Sequence, residues 1–201
     1  MGYDISLKEP VTKEEIELPV KHLMIGNTYA ADYDPNTGRF TPKPTSEAHL
    51  GITYNYSNYY YDAAERDIRF YGNLEDDDER EKEQPRNLGI RGIYGKTGAE
   101  SIPMLQDMIR RITEKYQKDG EWIITERTKI RYLDAVTDEE IDLFKDIIDG
   151  KRDYRKEEYT VQISEAPNDN YWEATAGNAI KPLHYLVAMA QLRPDGIWDG
   201  D

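Results

Sequence analysis

The chain has 201 residues, of which 40 are Asp or Glu and 26 are Lys or Arg, and its formal net charge is -14. This length fits one domain, because a single core usually comprises about 100–200 residues. The excess of acid disfavours direct binding to DNA or RNA, since the mean field of the protein repels phosphates. The same excess favours solubility and attraction to a basic surface of another protein.

The chain contains no cysteine and no long apolar run, and these two absences limit the kinds of protein that it can be. Without cysteine there is no disulfide, thiolate nucleophile or cysteine-ligated metal. The N-terminus lacks a basic region with an apolar stretch behind it, and no segment approaches the roughly 18 apolar residues of a membrane span. We therefore expect a cytoplasmic protein without export, membrane anchoring or a cofactor.

Alternation and turn residues predict the first elements. Residues 3–7 alternate as a short strand, and residues 16–20 are expected to pair with it. Residues 26–46 are rich in Gly, Pro, Asn, Asp and Thr and predict a loop. A strand over 51–56 and a helix over 59–71 follow, because β-branched and aromatic residues give way to a spacing of three and four.

The middle of the chain carries a charged insertion and the clearest helix signal. Residues 75–86 are almost entirely charged, which predicts a solvated loop or short exposed helix within an insertion around 73–88. Thr97 with Glu100 three residues later is a capping-box pattern, and it predicts a helix that ends near 119–120.

The last third of the chain predicts strands and two further helices. Thr137 to Glu140 is a second capping-box pattern, and it predicts a helix that Gly150 ends. Residues 122–125 and 129–133 are predicted as strands or an extended connection. The other predicted elements are strands over 159–163 and 197–198 and a helix over 176–192. Strands and helices alternate without regular βαβ spacing, which favours an α+β fold. We expect one compact domain over 1–201, with a small mixed or antiparallel sheet packed by three to four helices and a possible insertion around 121–165.

Five tyrosines lie close together in the sequence: Tyr54, Tyr56, Tyr59, Tyr60 and Tyr61. Tyrosines suit interfaces and nucleobase stacking, and they equally suit a strand and helix that pack together. Side chains two residues apart on a strand point to the same face, so Tyr54 and Tyr56 would share one. We therefore expect half of this cluster in the core. The rest are candidates for an interface or ligand site.

Lys96 and Thr97 stand at a glycine-rich helix start, where backbone N–H groups can bind anions. The spacing fails for a phosphate-binding loop, since Ile90 occupies the place of the first glycine and Glu100 adds a negative charge. Helix capping accounts for these residues, and a weaker anion-binding site remains an alternative interpretation. A nucleotide-binding or sequestering protein, using this helix start and the tyrosines, is therefore an alternative function.

The acidic run that contains Asp76, Asp77 and Asp78 lacks the spaced ligands of a calcium loop. It predicts solvent-exposed carboxylates, or a surface that mimics a phosphate backbone and blocks a basic groove of another protein. The three histidines are too scattered for a zinc site. His22 and His49 could meet if their strands pair, which keeps open a small enzyme with a histidine base, although no catalytic residue set is apparent.

Three blocks, MGYDISL at 1–7, YGKTGAESIP at 94–103, and 171–179 through 193–198, resemble a family of small acidic uncharacterised proteins encoded by tailed bacteriophages and prophages. The blocks cover roughly a quarter of the chain. The resemblance implies a viral origin and action in the bacterial cytoplasm, and it carries no catalytic residue. The expected function is a non-enzymatic phage accessory protein that inhibits a host defence protein through an acidic, tyrosine-edged surface. Direct nucleic-acid binding is not expected, and a homo-oligomer is possible.

Overall fold

A computed structural model of the chain describes residues 2–22, 31–74, 84–118, 121–141 and 153–201. Within these ranges the chain forms an α+β domain, as the sequence predicts, with three α-helices and several small antiparallel sheets. The helices are α1 (Ser57–Ala64), α2 (Gly98–Tyr116) and α3 (Ala176–Leu192). The strands are β1 (Gly2–Lys8), β2 (Glu17–His22), β3 (Ala31–Asp34), β4 (Arg39–Pro42), β5 (Thr45–Glu47), β6 (His49–Thr53), β7 (Tyr71–Gly72), β8 (Arg86–Asn87), β9 (Gln117–Lys118), β10 (Glu121–Trp122), β11 (Ile124–Asp134), β12 (Tyr154–Ser164) and β13 (Ile197–Gly200).

The central sheet has the antiparallel order β13-β1-β6, in which Ile5 lies between Gly200 and Leu50. Alternation along β1 places Tyr3, Ile5 and Leu7 on one face, and all three are buried. The first and last predicted strands are therefore confirmed and are neighbours. Trp198 is also buried, and its Nε1 donates to Ser101 Oγ on α2 at 2.7 Å, which ties the sheet to the helix.

Helices α2 and α3 carry most of the helical core. The predicted capping box begins α2: Thr97 Oγ1 accepts from the Glu100 backbone N at 3.2 Å, and Glu100 Oε2 accepts from the Thr97 backbone N at 2.8 Å. The predicted bounds of the final helix are confirmed as α3. The buried apolar residues of the two helices are Met104, Leu105, Met108, Ile112, Ala176, Ala179, Ile180, Leu183, Leu186, Val187, Met189 and Ala190.

The prediction of a loop over 26–46 is wrong within the described residues, because 31–47 contains three strands. β3 and β4 form a hairpin whose turn is closed by Asp34, which accepts from the Asn36 backbone N and the Thr37 hydroxyl, both at 2.9 Å. Gly38 then adopts φ +66°. The turn residues that suggested a loop therefore close a hairpin. β2 pairs with β5 rather than with β1. The residues just before β2 approach β1, where Ile16 N donates to Leu7 O and Glu15 forms an isolated bridge with Lys8.

The prediction that Tyr54 and Tyr56 share a strand face is wrong. Strand β6 ends at Thr53, whose hydroxyl accepts from the Asn55 backbone N at 3.2 Å and starts a 3-10 turn over Tyr54–Tyr56. Helix α1 begins directly afterwards and ends at Ala64, before the predicted end at 71. The charged segment 73–88 contains β8 next to β7, and residues 75–83 lie outside the described residues.

Strands β11 and β12 pair antiparallel over eleven residue positions, and we call this hairpin stem the ribbon. The strands predicted at 122–125 and 129–133 are therefore largely parts of one strand, β11, and the strand predicted at 159–163 lies within β12. At about 3.3 Å per residue the ribbon extends roughly 35 Å. Both of its strands lie within the segment 121–165 that the sequence suggests as an insertion.

The prediction that a helix begins at Thr137 is wrong, because the chain forms a turn there. The Asp134 carboxylate accepts from the backbone N atoms of Val136 and Thr137, and Asp138 adopts φ +60°. The chain then returns along β11, with Ile141 N donating to Tyr132 O at 2.9 Å. A local cap therefore forms a turn here instead of a helix N-terminus. Residues 142–150, the rest of that prediction, lie outside the described ranges.

Candidate functional site

Most of the tyrosine cluster lies in the core rather than at a surface. Tyr56, Tyr59 and Tyr60 are buried, Tyr54 packs against them from a partly buried position, and Tyr61 is 38% exposed. The hydroxyl of Tyr60 donates to Ala179 O on α3 at 2.9 Å. Burial raises the pKa of Tyr56 to about 12, so its hydroxyl stays protonated and donates to Tyr171 O.

A buried carboxylate, Glu165, connects the ribbon to the helices. Its Oε1 accepts from Thr125 Oγ1 at 2.8 Å and from Arg127 Nη2 at 2.9 Å, both on β11. Its Oε2 accepts from Tyr59 Oη at 2.6 Å and from the Ala176 backbone N at 2.8 Å. One side chain thus joins β11, α1 and the start of α3, and we call these residues the Glu165 node.

The protonation states in the Glu165 node follow from its contacts. Burial alone would raise the pKa of Glu165, but the hydrogen bonds from Tyr59, Ala176, Thr125 and Arg127 outweigh burial and hold that pKa below its ordinary value. Burial and the neighbouring carboxylate raise the pKa of Tyr59. The node therefore holds a charged carboxylate and a neutral phenol at neutral pH, which fixes the donors and acceptors.

The Glu165 node matters because a two-stranded hairpin is only marginally stable alone. Lys129, on the same side of the ribbon, adds an ion pair of 3.2 Å with Glu173. These contacts hold one side of the ribbon against the domain.

The opposite side of the ribbon is its outer face, formed by Ile124, Glu126, Thr128, Ile130, Tyr132, Asp134, Tyr154, Lys156, Glu158, Thr160, Gln162 and Ser164. All of these except Tyr132 and Asp134 are exposed.

The outer face leads to an acidic turn, which we call the ribbon end and define by its carboxylates Asp134, Asp138, Glu139, Glu140 and Asp153. All except Asp134 are exposed. Asp138 pairs with Arg155 at 2.9 Å, and no described cation pairs with Glu139, Glu140 or Asp153.

Apolar and aromatic residues border the ribbon end. Val136 is 88% exposed, and Ile130 on the outer face is 52% exposed. Tyr154 packs edge-on against Tyr132, with ring centroids 5.6 Å apart, and remains 43% exposed. Exposed carboxylates therefore lie close to Val136 and Tyr154 at the ribbon end, and none of these residues is among the site residues that the sequence predicts.

Of the other predicted site residues, the structure describes Lys96 and Thr97. Thr97 is engaged in the capping box, so Glu100 occupies the helix start next to Lys96 where an anion would have to bind. Asp76, Asp77 and Asp78 lie outside the described residues.

The two histidines considered for a catalytic base have different partners. His22 Nε2 lies 2.9 Å from Glu47 O, and His49 Nε2 lies against the Asp4 carboxylate. In the ranges that the structure describes, no group of three or more His, Asp or Glu could hold a metal ion. None of the described helices is long and apolar enough to cross a membrane.

Sequence reasoning missed Glu165 and the ribbon end. Glu165 follows an alternating strand and precedes a turn, which is an ordinary place for an exposed acid, and no local pattern marks it as buried. The sequence pattern places the acids at 138–140 in a helix cap instead of at an exposed turn.

Comparison with protein-family models, curated proteins and solved structures found no match for the chain.

Proposed function

We propose that this chain is a non-enzymatic binding protein whose ribbon end engages a basic surface of another protein. The observation that carries the proposal is the combination of clustered exposed carboxylates with the exposed side chains of Val136 and Tyr154 at the far end of an anchored ribbon. Exposed apolar groups bordered by charge are typical of interaction sites, and tyrosine is enriched in interfaces.

Charge distribution supports a basic partner. Many of the chain's cations already pair with its own carboxylates, among them Arg69, Arg110, Arg111 and Arg193. With a net charge of -14, the acids in excess define the outer field. Carboxylates at the ribbon end are well placed to steer a basic surface towards the ribbon, since complementary charge mainly raises the association rate and specificity.

The resemblance to phage-encoded proteins suggests which partner to seek. A small acidic phage protein acting in the bacterial cytoplasm would gain from occupying a basic groove of a host protein. We therefore propose that the partner is a host defence protein and that binding inhibits it. The tyrosines at the edge of this surface are Tyr132 and Tyr154, in place of the five clustered tyrosines that the sequence suggests.

Affinity capture with matched charge variants tests this function. The tagged chain is incubated with bacterial lysate at low salt, and retained proteins are identified by mass spectrometry. The ribbon-end variant is Glu139→Lys with Glu140→Lys. The control is Glu14→Lys with Glu17→Lys, which makes the same change in net charge at exposed residues of the β1–β2 corner.

We expect a stoichiometric host protein that the wild type and the control retain, that the ribbon-end variant loses, and that elevated salt releases. The captured protein should lose its activity when the wild-type chain is added. Equal retention by the two variants would show that total charge, rather than the ribbon end, determines binding. If no protein were retained at low salt, the proposed function would be wrong.

A further inference from the structure

The outer edge of β12 is an open strand edge in the part of the chain that the structure describes. β12 pairs with β11 on one side, and no described strand pairs with it on the other. The edge of β11 is covered near the ribbon end, where Ile141 N donates to Tyr132 O at 2.9 Å. An open edge presents backbone donors and acceptors that readily pair with another chain. We call this side of the ribbon the β12 edge.

The hydrogen-bond pattern of the ribbon identifies the backbone groups that point outwards at the β12 edge. At the ribbon end, Ala135 N donates to Asp153 O at 3.0 Å, in the register of the ribbon. At the other end, Glu165 N donates to Ile123 O at 2.8 Å in the same register. Since hydrogen-bonded and non-hydrogen-bonded pairs alternate in an antiparallel ladder, the odd-numbered residues of β12 bond to β11. The backbone groups of the even-numbered residues face away from β11, and those that are exposed include Tyr154, Lys156, Glu158 and Thr160.

The charged side chains of β12 are arranged so that two antiparallel copies of this strand attract each other. Arg155 and Lys156 are followed by Glu157 and Glu158, so this stretch is neutral in a chain of net charge -14. A second copy therefore meets less repulsion here than at an acidic part of the surface. When two copies of β12 pair about a two-fold axis at Glu157, Lys156 lies opposite Glu158 of the partner subunit. The reciprocal pair forms as well, because the axis relates the two copies.

The register about Glu157 also suits the backbone and the remaining charges. It sets even-numbered residues opposite even-numbered residues, so the outward groups of 154–160 can form about eight hydrogen bonds between the copies. Glu157 faces its own copy across the axis, but each Glu157 already pairs with Arg131 of its own chain at 2.9 Å. Moving the axis by one residue would set either Lys156 or Glu158 against its own copy, which opposes pairing.

We infer that the β12 edge is a dimerisation surface, to which a second copy of this chain adds its own β12. The two ribbons then form one antiparallel sheet in the order β11-β12-β12-β11. Main-chain hydrogen bonds along the added strand supply affinity, and the pairs between Lys156 and Glu158 select the register. Neither residue belongs to the ribbon end, so dimerisation and partner binding can fail separately.

Sedimentation equilibrium of the purified chain, from micromolar to millimolar concentration, measures the dissociation constant of the dimer. We expect a reversible monomer–dimer equilibrium that elevated salt weakens. Lys156→Glu and Glu158→Lys, made separately, should each weaken dimerisation by about tenfold or more, because like charges then lie opposite each other twice. The double variant, Lys156→Glu with Glu158→Lys, keeps the net charge of the wild type and exchanges the signs of both pairs. It should therefore dimerise about as tightly as the wild type.

A matched pair of proline variants tests the backbone pairing. Thr160→Pro removes an outward N–H of β12 that the ribbon does not use, and proline is tolerated at such edge positions. Thr128→Pro is the control, because Thr128 is the exposed residue directly opposite Thr160 on β11. We expect Thr160→Pro to weaken dimerisation by about tenfold or more, since its hydrogen bonds are lost in both copies. Thr128→Pro should leave the dissociation constant unchanged, and circular dichroism shows that each variant is folded.

The inference would be overturned by a wild-type chain that stays monomeric at millimolar concentration and low salt. It would also be overturned if the double charge variant dimerised no better than the two single variants, because opposite charges would then not face each other. A folded Thr160→Pro chain that dimerises as tightly as the wild type would show that the copies do not meet at the β12 edge.

Discussion

Replacing Glu165 by Gln tests how the ribbon is held to the domain. Each carboxylate oxygen of Glu165 accepts one hydrogen bond from a hydroxyl, which can also accept, and one from an N–H group, which cannot. The variant thus loses at least the hydrogen bond from Arg127 or from the Ala176 backbone, and it leaves Arg127 without its counter-charge. Breaking a buried ion pair costs about 3–5 kcal/mol, but Arg127 is 39% exposed and solvent offsets part of this. We expect a loss of about 2–4 kcal/mol in the free energy of unfolding.

Urea unfolding followed by circular dichroism measures this loss, and Glu126→Gln on the exposed outer face is the control, with an expected change below about 0.5 kcal/mol. In the folded chain the pKa of Glu165 lies below its unfolded value. Its stabilisation is therefore fully present above the unfolded pKa of about 4.3 and is lost as pH falls through the folded pKa. The gap between wild type and Glu165→Gln should narrow in acid. A loss below about 1 kcal/mol at pH 7, or a gap that widens in acid, would refute this reasoning.

Three further substitutions test the rest of the fold by thermal and urea unfolding. Thr97→Ala removes the capping box of α2 and should cost about 1 kcal/mol, whereas Thr97→Ser should cost much less. Asp67→Asn should cost about 1.5–3 kcal/mol at pH 7, because the buried carboxylate accepts from Arg69 and Arg111. These contacts hold the pKa of Asp67 well below its ordinary value, so that its contribution is lost only in strong acid. Gly177→Ala should cost at least about 1–3 kcal/mol, since the added Cβ would lie 2.0 Å from the Pro167 backbone N. Unchanged stability in any of these variants would contradict the contacts described for it.

Local signals in the sequence predict the parts of the fold that local physics decides. The capping box at Thr97 satisfies helix donors with residues only three apart, and the apolar spacing of α3 from Leu183 onwards reflects one buried face. The helix expected from Thr137 shows the limit of such signals. There the Asp134 carboxylate accepts from the Thr137 backbone N, which the Glu140 side chain would accept from in a capping box, so two local caps compete and pairing with β11 decides the outcome.

The candidate site was less predictable because it depends on contacts between distant residues. Tyr59 looks like an interface residue in the sequence, yet its hydroxyl meets Glu165, which is 106 positions away. The ribbon alternates weakly, since neither of its faces is fully buried, and the polar residues in the middle of β11 divided it into two predicted strands. Composition did predict the net acidity. It could not say where carboxylates would lie next to exposed Val136 and Tyr154.

The most direct test of the proposed function is the dissociation constant of the captured host protein for matched charge variants at two salt concentrations. We expect Glu139→Lys with Glu140→Lys to weaken binding by at least about tenfold at low salt, since like charges then face each other across the interface. The Glu14→Lys with Glu17→Lys control should bind nearly as the wild type does. Equal weakening in both variants, or no weakening in either, would contradict the assignment of the ribbon end as the binding surface.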